Sequence, residues 1–294
     1  MLRAAALLPP TALLVLPGVP ADHEDVRREA RSAVRRLAAC GAGRVVVVVP
    51  AGRGTGLPPD EPARPVVRRW SGRLHPTLAA AGVPDAVAGL TGVRVGVAAP
   101  GETGGAAADR AASRTGVRGS GDEVVDDVPA AVALALLADA GWTAAVEVLA
   151  VAEGEAPALH RVGRELATDD VALLLMGGLS ARRGPDSPLA EDPRAAAFDE
   201  AVAADLALTG RGPRSGAPAT TQHDATGAGS AREEAAHRLA AVDLTLAQAL
   251  AVSAWGPWQV LLGALATPGP AMDATVSVSV PAGATYAVAG WDAR

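Results

Sequence analysis

Five consecutive valines, Val45–Val49, limit what this chain can become more than any other segment. A valine's branched Cβ suits extended backbone. Successive side chains of a strand point to opposite faces, so an unbroken apolar run needs cover on both sides. The run therefore predicts an inner strand of a sheet packed between two layers of helices. It excludes a helical bundle, and it excludes a sheet with one wet face. Ala4–Leu8, Val93–Ala98, Ala145–Val151 and Val171–Met176 read as further buried strands, and Thr275–Val280 and Thr285–Ala289 as closing strands. Helical patterns alternate with them. The first runs from His23 to Cys40, capped by Asp22, with Val26, Ala30, Val34 and Leu37 on one face. Others cover Val125–Ala140, Ala156–Ala167, Ala190–Leu208, Ala231–Ala241, Leu244–Ser253 and Trp258–Leu265. This alternation predicts an α/β fold with a mainly parallel central sheet flanked by helices on both faces. With 294 residues, one domain is expected, 1–294, carrying flexible insertions near 101–121 and 210–229.

Composition removes several functions. Aromatic residues are 2% of the chain, so the core is Ala, Val and Leu, and platforms for stacking bases are scarce. A net charge of −6 opposes binding to nucleic acid or anionic membranes. All 26 basic residues are arginine, and Lys, Ile and Asn are absent, as GC-rich coding would produce. Arginine pairs are therefore weak signals here. Cys40 is the one cysteine, which rules out an intrachain disulfide or a cysteine metal site and reads as a buried structural thiol. Met1–Ala21 has some features of a secretory leader, but Pro9-Pro10 interrupts its apolar part. A buried first strand is the preferred reading, with cytoplasmic location expected and secretion as the alternative. No stretch is apolar for long enough to span a membrane. Self-association is left open.

In such folds ligands bind beyond the carboxyl ends of the strands. The loops after Leu8, Val49, Ala98 and Met176 are then the candidates. Gly177-Gly178-Leu179-Ser180-Ala181-Arg182-Arg183 follows a buried strand. Its glycines permit close approach, Ser180 offers a hydroxyl, and Arg182 and Arg183 are suited to a carboxylate. Glu102, flanked by Gly101 and Gly104-Gly105, is a carboxylate at a strand end. Gly52-Arg53-Gly54-Thr55-Gly56 is no phosphate loop, because Pro58-Pro59 stands where a helix would have to begin. The histidines are His23, His75, His160, His223 and His237. No two have the spacing of a helical zinc site, and all read as surface residues. No Gly-x-Ser-x-Gly elbow supports a serine hydrolase.

Several segments together resemble a known family. Ala4-Ala5-Ala6-Leu7-Leu8-Pro9-Pro10-Thr11 is similar to a first strand ending in a Pro-His-Pro-Pro motif. Ala172–Ser180, followed by Asp192-Pro193-Arg194 and Phe198-Asp199, is similar to a strand ending in Gly-Leu-Ser-His. The valine strand, Gly256–Leu261 and the closing strand through Tyr286 and Trp291 complete the set. These resemble the LigB-type class III extradiol ring-cleavage dioxygenases, in their alanine-rich actinobacterial branch. The likeness covers most of the chain and is collective.

The resemblance implies a LigB-like, phosphorylase-like three-layer sandwich. In the family, Fe(II) is held by two histidines and a carboxylate, and a further histidine serves as acid and base. Carried onto this chain, the first histidine falls on or beside Pro10, and the acid/base histidine falls on Ala181. Neither side chain can ligate iron or move a proton. The expected protein is a degenerate homologue with no cofactor. It would have a strand-end pocket at Pro10, Thr11, Glu102, Gly178, Ser180, Ala181, Arg182 and Arg183 for a small aromatic or anionic ligand. Two alternatives stand beside it: an active dioxygenase with ligands displaced to residues such as His75 and Glu102, and an interaction protein like the Memo-like relatives of the family.

Overall fold

The structure is a computed structural model. It describes residues 1–52, 65–97, 123–210 and 222–293, with the side chains of 222–228 excepted. Nine strands are present among these residues: β1 (Leu2–Leu8), β2 (Arg44–Pro50), β3 (Val66–Ser71), β4 (Leu74–Pro76), β5 (Glu123–Val125), β6 (Ala145–Val151), β7 (Val171–Met176), β8 (Met272–Ser279) and β9 (Tyr286–Ala293). The helices are α1 (Ala21–Ala39), α2 (Asp85–Ala88), α3 (Val128–Asp139), α4 (Ala156–Leu166), α5 (Ala195–Leu208), α6 (Gln222–Ala240), α7 (Leu244–Ala249) and α8 (Trp255–Leu265).

Seven strands form one sheet in the order β3-β6-β2-β7-β1-β9-β8. The inner four, β6, β2, β7 and β1, are parallel. The outer β3, β9 and β8 join antiparallel. The expected α/β class is therefore present, with a mixed sheet parallel at its centre. β4 and β5 form a separate two-stranded parallel pair.

The valine run behaves as its composition requires. Val45, Val47 and Val49 enter one core with Val26, Val34 and Leu37 of α1 and Leu134 and Leu137 of α3. Val46 and Val48 enter the other with Leu159 of α4, Leu206 of α5 and Trp258 of α8. All five valines are 0% exposed. Each contributes about 1.5–3 kcal/mol relative to an exposed position. Glycines let α4 and α8 touch backbone to backbone: a Cβ on Gly163 would lie 1.9 Å from the Val260 carbonyl oxygen, and one on Gly263 2.1 Å from that of His160.

Several expectations need correction. Val93–Ala98 is not a sheet strand. Only Val95 bridges, to Leu74, Val97 is 46% exposed, and Ala98 is outside the described residues. Strands β3, β4 and β5 were not expected. α1 is preceded by Pro20 at its cap position, and Asp22 lies in the first turn, where a negative charge favours the positive helix end. α5 begins at Ala195, not at residue 190, because the segment before it is bound into turns around Asp192. Of the segment 210–229, read as a flexible low-complexity insertion, residues 211–221 lie outside the described residues, and the chain is helical from Gln222. Residues 101–121 lie outside the described residues. Cys40 is half-buried at the end of α1, and this burial pushes its thiol up. No helix among the described residues is long and apolar enough to cross a membrane.

Candidate functional site

The parallel strands end at Leu8, Pro50, Val151 and Met176, all at one end of the sheet. The loop after Val151 thus replaces the one expected after Ala98. β1 and β7 are neighbours, yet the chain leaves β1 for α1 on one face and leaves β7 for α5 on the other. Loops that part in opposite directions open a crevice between two strand ends.

Pro10 and Gly178 face each other there, with the Cβ position of Gly178 3.6 Å from Pro10 Cδ. The Gly178 N–H donates to Ser253 Oγ at 2.9 Å, and its carbonyl accepts from Ala254 N–H at 3.0 Å. Thr11 turns its hydroxyl back to accept the Leu13 N–H at 3.3 Å, starting a single helical turn. Ala181 is partly exposed, and its N–H donates to the Leu250 carbonyl at 3.2 Å. Ser180 is 1% exposed, and its Oγ accepts the Arg182 N–H at 3.1 Å. The two guanidiniums have partners within the chain. Arg182 Nη1 donates to the Ala190 carbonyl at 2.8 Å, and Arg183 Nη2 to Glu200 Oε1 at 2.9 Å. Glu102 lies outside the described residues.

The loop after β7 is also tied to the turn before β9. Leu179 N–H donates to the Thr285 carbonyl at 3.1 Å, and Thr285 N–H to the Ser180 carbonyl at 2.8 Å. Behind them stands Asp199, which is 0% exposed. Its Oδ1 accepts the Ser180 N–H at 2.9 Å, while its Oδ2 is buried without a well-formed hydrogen bond. Burial raises the carboxyl above the usual carboxylate range; the Thr285 hydroxyl, the Ser180 N–H and the Arg183 charge pull it down in part.

Sequence reasoning missed Asp199 as a site residue. The signal was available: Ala195, Asp199, Val202 and Leu206 occupy one helical stripe, and Asp is the polar member of that buried row. Ser253 and Thr285 had no local signal, since each reaches the loop from a distant segment.

The histidines are less superficial than expected. The His23 side chain is 11% exposed, accepts or donates at Nδ1 to Asp22 at 2.8 Å, and lies 6.1 Å from the ring of Tyr286, the first residue of β9. His75 is in β4, with its Nδ1 2.8 Å from the Val93 carbonyl and its Nε2 3.9 Å from Asp85. His160 Nε2 bonds Gln259 Oε1 at 2.7 Å inside the helical layer. His237 is exposed, as expected, and the side chain of His223 is outside the described residues. Among the described residues, no three His, Cys, Asp or Glu side chains converge in metal-binding geometry. A crevice of about 390 Å³ opens at the amino end of β1, opposite these loops, beside Leu2, Arg232 and Met272.

No family model and no curated protein matches this chain. Among solved structures, it is similar to the uncharacterized protein JW3007 from Escherichia coli K12. The two share 17% identity over 98% of this chain and 99% of that one, with a TM-score of 0.45.

Proposed function

We propose that this chain is a catalytically degenerate relative of the class III extradiol dioxygenases, with the LigB-like sandwich. On this reading it keeps the strand-end crevice to bind a small aromatic or anionic molecule. The observation that carries the reading is the meeting of Pro10 with Gly178 at the ends of adjacent parallel strands, with Ala181 three residues further on. The two places where that family needs imidazoles hold a pyrrolidine ring and a methyl group. Thr11, Ser253 and Ala181 are partly exposed there and offer two hydroxyls and an apolar contact. Mixed surfaces of this kind suit a small ring with a polar substituent.

An Fe(II) centre of the family type takes two imidazoles and a carboxylate. Among the described residues, the candidates Pro10, Thr11, Ser180, Ala181, Arg182 and Arg183, with Ser253 and Thr285 bonded to the same loop, include no imidazole and no carboxylate, and the nearby Asp199 is fully buried. These residues do not fit that group, and no step of chemistry is derived through it.

Three measurements on the purified full chain test the proposal: metal content by mass spectrometry, oxygen uptake on catechol after Fe(II) loading, and calorimetric titration with catechol and benzoate. Substoichiometric iron, no ring opening, and saturable binding that Pro10→Trp abolishes are expected. One iron per chain with oxygen consumed on catechol would overturn it.

A further inference from the structure

Asp199 joins two segments far apart in the chain. From α5 it reaches the backbone of Ser180, and Ser180 and Leu179 are bonded in turn to Thr285. Thr285 is 1% exposed, and its buried Oγ1, like Asp199 Oδ2, makes no well-formed hydrogen bond. The charges that face Asp199 are Arg183 on the loop and Glu200 on its own helix, and these two pair with each other at 2.9 Å. The turn Val280–Thr285 and the segment Leu250–Ala254 bring no charged side chain; Tyr286 is the first titratable residue after the turn.

We propose that Asp199 is a proton-operated latch on the Gly177–Arg183 loop, closing it as the neutral acid and loosening it as the carboxylate. The neutral acid places no charge in the buried cluster: its carbonyl oxygen accepts the Ser180 N–H, and its hydroxyl can turn toward Thr285 Oγ1. The carboxylate keeps the first bond but holds a charge away from water, with one hydroxyl to face its second oxygen. Burial accordingly holds the carboxyl above its ordinary range. A raised value in the folded state means that closure binds a proton. Closure is strongest at pH below the ordinary carboxylate range and weakens as pH rises through the raised value. Asp199 is thus a positioning residue; it is too deeply buried to touch a ligand. The effect of the latch on ligand binding rests on the function proposed above, whereas the latch itself does not.

Hydrogen exchange on the ligand-free full chain, corrected for intrinsic rates, tests it over roughly pH 5 to 8. Protection of the Gly178–Arg183 amides should fall about ten-fold across that range while β7 amides hold theirs. Asp199→Asn accepts and donates at the same two places without a charge, so it should keep the loop protected at every pH. Asp199→Leu should leave it open throughout; if that variant does not fold, the Asn variant decides. Loop protection independent of pH in the parent chain, or an unchanged pH slope in Asp199→Asn, would overturn the latch. Either result would leave the binding proposal standing.

Discussion

A Cβ built on Gly177 would stand 2.3 Å from the Cα of Ala254. The end of β7 and the segment entering α8 therefore touch through bare backbone. One residue on, the Cβ position of Gly178 has 3.6 Å to its nearest neighbour, an ordinary contact.

Adjacent glycines should thus respond differently. Gly177→Ala is expected to cost about 1–3 kcal/mol or more through overpacking, and Gly178→Ala less than about 1 kcal/mol. Urea denaturation of the two variants measures the difference. Equal losses would show that the close approach at Gly177 can relax.

The α4–α8 crossing predicts a second loss. Gly163→Ala places a methyl group against the Val260 carbonyl, so the helices must separate. A destabilisation of about 1–3 kcal/mol or more is expected, with faster amide exchange in both helices. A variant as stable as the parent would count against the crossing.

Gln259 fixes the tautomer of His160. Its Nε2 donates to the Leu239 carbonyl at 3.1 Å, so its Oε1 must accept, and His160 carries its proton on Nε2. Nitrogen chemical shifts of the His160 ring should report that tautomer. Gln259→Leu orphans the carbonyl and the imidazole N–H together, at about 1–3 kcal/mol each for the buried groups.

Arg194 grips the Asp192 carboxylate with two bonds, at 2.9 and 2.7 Å, and lowers its pKa to about 2. Because this value lies below that of the unfolded chain, the pairing stabilises at pH above about 4 and is lost as pH falls through about 2. Arg194→Ala should return the Asp192 titration, followed by NMR, toward the ordinary carboxylate range.

How legible each element was depended on where it sits. β2, β6 and β7 are inner strands, and apart from Arg44 at the start of β2 and Glu147 in β6 their residues are apolar, so they could be read directly. β3 lies at the sheet edge. Its Arg68 and Arg69 are exposed and only Trp70 is buried, with Arg68 4.3 Å over its ring, so the apolar pattern disappears. Val93–Ala98 has an inner strand's composition, yet Gly96 takes φ 90° with the Gly72 carbonyl oxygen 2.4 Å from its Cβ position, and the extended run breaks. In the site, Pro10, Thr11 and the glycine loop could be placed because they directly follow strands. Ser253 and Thr285 could not, because tertiary packing alone brings them to that loop. Arg182 and Arg183 looked free for a ligand because sequence spacing does not reveal Ala190 and Glu200 as their partners.

β1 pairs with β7 on one side and with β9 on the other. β1 is thus completed by β7 and β9, which are synthesised long after it. Both pairings close very long loops, which slows folding. Until β9 is released from the ribosome, the apolar segment Ala4–Leu8 has an unsatisfied edge, and a chain stalled or truncated before Tyr286 would present that edge to other nascent chains.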